Sequence, residues 1–62
     1  MYCVFLDDLI YSRHHKNTAL WTDQIQLAQI FNTRQQAFKI RQRLKNEGYN
    51  GFDLHVRRAN NR

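Results

Sequence analysis

The sequence predicts an α+β fold: a small three- or four-stranded antiparallel or mixed sheet with one helix packed on a face, in the order β-β-β-α-β. Three observations predict it. Residues 33–48 carry helix start and stop signals around apolar positions at helical spacing, residues 52–58 alternate apolar and polar side chains with a period of two, and the first 21 residues hold β-branched and aromatic runs broken by polar turns. A sheet and a single helix, each apolar on one side, bury those sides against each other.

Residues 2–6, YCVFL, and 9–13, LIYSR, suit two strands, with Asp7 and Asp8 as the turn of a hairpin. The polar HHKN of residues 14–17 reads as a loop leading to a third strand, TALW, at 18–21. In TDQIQLAQIF the apolar Ile25, Leu27, Ala28, Ile30 and Phe31 fit either a short helix or a turn feeding a strand. The reading adopted is one helical turn opened by Thr22 or Asp23, followed by extended QIF.

The helix is expected over residues 34–47. Thr33 and Gln36 have capping-box spacing, so that each side chain can satisfy an amide orphaned at the helix start. Gly48 can adopt the left-handed conformation that ends a helix, which pairs Leu44 with Tyr49 as the apolar contact of a Schellman motif. After the turn GYNG, the strand FDLHVRR places Phe52, Leu54 and Val56 on one face and Asp53, His55 and Arg57 on the other. Residues 1–58 thus form one domain, and 59–62 read as a disordered C-terminal tail.

A 62-residue chain is at most one domain, of a size that buries only about 60% of the surface its unfolded form exposes. Its single cysteine, Cys3, excludes an intramolecular disulfide and a cysteine zinc cluster, so packing must supply the stability, aided by any self-association. The N-terminus has no secretory pattern and no apolar run approaches the roughly 20 residues that span a bilayer. A cytoplasmic protein that does not use a membrane is expected. The charge is lopsided: residues 1–33 carry a net −1, whereas eight Lys and Arg against Glu47 and Asp53 give +6 from Arg34 onward. Such a field draws acidic partners.

Trp21, Thr22, Ala28, Phe31, Thr33 and Ala37 spell W-T-x5-A-x2-F-x-T-x3-A. This resembles a pattern in very small bacteriophage-encoded proteins, where a strand ends in W-T and a helix opens after F-x-T or F-x-S. The resemblance spans residues 21–37 and consists of structural positions, so it implies a fold and a viral origin but no site residues. Many such phage proteins are modulators of a host enzyme, a toxin or a defence complex, and others bind nucleic acid; a host-cytoplasmic effector is what the resemblance implies.

Catalysis is not expected. Asp7 and Asp8 would diverge in a strand and be solvated in a turn, and a chain this short leaves little room for a cleft that excludes water. His14, His15 and His55 lack metal-ligand spacing and read as exposed loop imidazoles plus one on the wet face of the last strand; Cys3 reads as a small core hydrophobe. No metal or cofactor is expected.

Binding is another matter. At ~100° per residue, Ala37, Ile40 and Leu44 form the buried stripe of the helix, and Phe38 lies well round from it on a flank with Arg34, Arg41 and Lys45. Two readings of Phe38 stand. It covers the margin of the sheet beneath snorkelling basic stems, or it is exposed in a cationic ridge of Arg34, Phe38, Arg41 and Lys45, joined by Arg57 and Arg58. Arg34 favours use elsewhere, because a cation in the first turn opposes the helix dipole. Such a ridge suits an acidic surface on a host or defence protein, which it would inhibit or modulate; the alternative is direct binding of RNA or single-stranded DNA by the basic helix and last strand. A hairpin edge could also pair into a homodimer.

Overall fold

A computed structural model describes residues 1–59. Four strands, β1 (Tyr2–Leu6), β2 (Leu9–His15), β3 (Thr18–Thr22) and β4 (Leu54–Arg58), make one sheet in the order β3-β2-β1-β4, antiparallel throughout. One α-helix, α1 (Arg34–Asn46), lies across β1 and β4. The α+β plan holds, with four strands and no parallel pair.

The first hairpin turns on Asp7 and Asp8, Leu6 pairing with Leu9. Asp7 takes a left-handed φ of 52°, which a short carboxylate side chain tolerates better than most. The second hairpin corrects the expectation of a loop at residues 14–17. His15 pairs with Thr18, so the turn is Lys16-Asn17 alone, and His14 and His15 belong to β2. Both turn residues have positive φ, 50° and 67°. That is the twist a two-residue hairpin needs, and asparagine supports it.

Where β2 passes Tyr11, a bulge at Ser12 shifts the register with β3. It has a consequence for packing. Tyr11 and His14, three residues apart, end up on the same face, opposite Trp21 and Ala19 respectively.

β1 and β2 pair only near their shared turn, Phe5 with Ile10 and Leu6 with Leu9. Beyond that they are bridged by the β3–α1 connection. After a 3-10 turn at Ile25–Leu27, the Gln29 amide donates to the Tyr11 carbonyl (3.0 Å), and Phe31 exchanges both backbone hydrogen bonds with Tyr2 (2.8 Å each). Ser12 Oγ also donates to the Leu27 carbonyl (2.9 Å). The expected helical turn is present but opens at Gln24, since Thr22 still belongs to β3, and with the segment after it this turn stitches the splayed strands together.

α1 begins at Thr33, whose hydroxyl accepts the Gln36 amide (3.2 Å). Gln36 returns its side-chain carbonyl to the Asn32 amide (3.2 Å), one residue earlier than a strict capping box. At the other end Glu47 caps the helix and Gly48 has φ 112°, its amide donating to the Lys45 carbonyl (3.3 Å). Leu44 is in the core and Tyr49 packs against it, the apolar pair expected at this helix end.

The core lies between α1 and one sheet face: Val4, Leu6, Tyr11, Ala19 and Leu54 against Ala37 and Leu44, with Tyr2, Trp21, Phe31, Ile40, Tyr49 and Val56 at its margins. Phe52 does not join it. A 3-10 turn at Tyr49–Gly51 delays β4 until Leu54, and Phe52 stays 56% exposed against Tyr49. The period-two pattern therefore begins two residues later than expected. Cys3 is fully buried on the other side of β1, where burial pushes its thiol pKa up. The Ala59 amide donates to the Met1 carbonyl (2.7 Å), so the β1–β4 ladder runs one residue past Arg58. Of the expected tail 59–62, Ala59 is thus paired with Met1, and residues 60–62 lie outside the described residues.

Candidate functional site

The stripe of α1 formed by Ala37, Ile40 and Leu44 is pressed into the core, which leaves two flanks. One faces the β2–β3 hairpin and the other runs beside β4. Each is defined by where its side chains find partners.

On the β4 side, the Arg34 guanidinium sits 5.6 Å over the Tyr2 ring, and Tyr2 is directly opposite Arg58 in the sheet. Directly opposite residues share a face, so Arg34 and Arg58 flank Tyr2. At the far end of β4, Arg41 Nε donates to the Leu54 carbonyl (2.9 Å), and its guanidinium lies 6.0 Å from the Phe38 ring. The helix therefore runs antiparallel to β4 and alongside it, with Phe38 between the two arginines. Phe38 is 44% exposed. It stands at the surface with the Arg41 guanidinium over its ring, and it is not part of the core cluster.

Arg34, Phe38, Arg41 and Arg58 are thus brought together. Lys45, half-buried one turn beyond Arg41, continues the flank, and its side chain has no hydrogen bond or ion pair among the described residues. Arg57 does not join them. It is paired with Cys3 on the opposite face of the sheet, its guanidinium 5.4 Å over the Phe5 ring. The reason is the strand period, which sends Arg57 and Arg58 to opposite faces. Phe5 also stacks on His55 at 5.7 Å with the rings 11° apart, and Asp53 Oδ1 lies 3.4 Å from His55 Nδ1. This second cluster was not singled out in the sequence, although the alternation Val4, Phe5, Leu6 carried the signal that Phe5 faces away from the helix.

On the hairpin side the charges are consumed internally. His14 Nε2 and Glu47 Oε1 are 2.8 Å apart, Arg43 Nε donates to Glu47 Oε2 (2.9 Å), and Tyr11 Oη meets His14 Nδ1 at 2.8 Å. A carboxylate only accepts, so His14 Nε2–H donates to Glu47, while Nδ1, the other ring nitrogen, is the one that meets the Tyr11 hydroxyl. The His14 hydrogen bond, supported by Arg43, holds the Glu47 carboxyl below its ordinary pKa, while burial raises the Tyr11 phenol. The expectation of His14 as an exposed loop imidazole is corrected: its side chain is 11% exposed and joins β2 to the end of α1.

Of the seven Lys and Arg among described residues from Arg34 onward, only Arg43 pairs with a carboxylate. No cavity opens among the described residues, and no three His, Cys, Asp or Glu side chains converge there. No helix among them is long and apolar enough to cross a membrane. Comparison with protein-family models, with curated proteins and with solved structures returned no match.

Proposed function

We propose that this chain is a non-enzymatic effector of the phage type that docks the β4-side flank of α1 on an acidic surface of a host or defence protein and thereby inhibits or modulates it. The observation that carries this reading is the asymmetry of the helix. Arg34, Arg41, Arg58 and Lys45 lie on the flank that exposes Phe38, Arg41 against its ring, with no carboxylate partner among the described residues, while the acidic residue of the helix end is committed to the other flank. An aromatic anchor inside a ring of arginine is the composition of a protein-binding hot spot. The resemblance of residues 21–37 to small phage proteins supports the effector role.

The test is affinity purification from host cells with the wild-type protein and with Arg34→Glu/Arg41→Glu, each with and without nuclease. A partner retained by the wild type, lost by the double variant and unaffected by nuclease is expected. A partner held equally by both proteins would sink the reading.

A second reading, direct binding of RNA or single-stranded DNA through the basic helix and last strand, is favoured by one observation. Phe5 lies against His55 and Arg57 on the sheet face away from the helix, a cation-flanked aromatic of the kind on which bases stack. It requires affinity to fall with salt by about 0.7 log units per log unit of salt for each phosphate neutralised. Salt-independent binding excludes it.

A further inference from the structure

β4 is an outer strand, and its register with β1 fixes where its backbone groups point. The Asp7 amide donates to the Asp53 carbonyl and the Ala59 amide to the Met1 carbonyl. Odd-numbered residues of this segment therefore face β1, and Leu54, Val56 and Arg58 turn their N–H and C=O groups outward. Arg41 occupies the outward carbonyl of Leu54. The N–H and C=O of Val56 have no partner among the described residues. Along this edge stands the flank of α1, so the unpaired backbone and the cations without counter-charge lie on the same edge of the molecule.

Basic side chains on an edge commonly keep other strands away, and here they exclude one candidate in particular. Antiparallel pairing of two β4 strands about Val56 would set the Arg34, Arg41 and Arg58 cluster of one copy beside that of the other. A strand of opposite charge meets no such barrier.

The geometry points to β4 as an acceptor for an extended acidic segment of a protein partner, added as a fifth strand between β4 and the flank of α1. This rests on the proposed acidic protein partner and specifies how it is held. Backbone hydrogen bonds to Val56 and Arg58 supply the pairing, and alternate side chains supply the recognition. Incoming residues on the helix side meet Val56 and Phe38 at the centre, with Arg34 and Arg58 at one end and Arg41 at the other. Those on the far side meet His55 and Arg57. The preferred segment has an apolar centre and Asp or Glu on both sides of it.

The probe is a synthetic peptide of about eight residues alternating glutamate and valine, with the same peptide N-methylated at alternate residues, polyglutamate and a single-stranded RNA oligonucleotide as comparisons. The plain peptide is expected to bind the wild type and to slow exchange of the Val56 and Arg58 amides. Val56→Pro costs no hydrogen bond of the β1–β4 ladder, because the lost N–H points outward and an edge strand accepts proline there, and it should weaken binding about tenfold. The N-methylated peptide, which leaves the protein untouched, should lose affinity to a similar extent. If N-methylation and Val56→Pro change nothing and the amides stay unprotected, strand addition is overturned while the acidic-partner reading survives. If neither acidic polymer binds and the oligonucleotide does, both are overturned.

Discussion

The two flanks of α1 come from one helix, yet they are built on opposite terms. Toward the hairpin, Tyr11, His14, Glu47 and Arg43 form a closed chain of hydrogen bonds in which the carboxylate has both oxygens engaged. Toward β4, Arg34 and Arg41 meet aromatic rings and one backbone carbonyl, and among the described residues neither they nor Arg58 pair with a carboxylate. The difference lies in the single Glu47, which falls on the hairpin side of the stripe. A flank with a carboxylate becomes structural, whereas a flank without one keeps a positive field that no neighbouring carboxylate offsets.

Both flanks are lost together if the helix comes away from the sheet. Leu44→Ala empties a fully buried site between helix and sheet, and unfolding in urea should show a loss of about 2–5 kcal/mol. The hairpin flank comes next. His14→Ala leaves the buried Tyr11 hydroxyl without its partner and should cost about 1–3 kcal/mol in the same measurement. Its pH dependence has a definite sign. Because the folded-state pKa of Glu47 is lowered, chiefly by His14, its stabilisation is present above the ordinary carboxylate range and is lost as pH falls through the lowered value. Urea midpoints of wild type and Glu47→Gln should therefore differ at neutral pH and converge in acid; a constant gap would show that the network is not electrostatic.

The helix start should respond less. Thr33→Ala removes the cap to the Gln36 amide and should cost about 1 kcal/mol. The β4 flank should respond least of all in stability. Arg34→Gln relieves a cation at the positive end of the dipole and gives up a contact with Tyr2, opposing terms that leave the change within about 0.5 kcal/mol. Partner capture should nevertheless fall. A large destabilisation by Arg34→Gln would make this flank as structural as the other.

Much of this arrangement was legible in the residues. Thr33 and Gly48 bounded the helix, Ala37, Ile40 and Leu44 named its buried stripe, and the position of Phe38 round the helix from them agrees with its exposure. The misreadings have local causes. HHKN looks polar enough to be a loop, but β2 continues because His14 finds Tyr11 and Glu47 as partners, one of them 33 residues away. Phe52 looks like the start of a strand, but the 3-10 turn after Gly48 uses up the chain that would have paired it. Arg57 and Arg58 read as one cationic pair and are divided by the sheet between two faces.

By itself, the sequence determined what depends on near neighbours: the helix and its caps, the alternating last strand, the surplus of positive charge after Arg34. Tertiary structure alone decided which cations remain without a counter-charge and which backbone groups face outward. Those outcomes are set by contacts such as His14 with Glu47, Arg41 with Leu54 and Phe31 with Tyr2. Their partners are distant along the chain, and folding brings them within the few ångströms over which hydrogen bonds and ion pairs act.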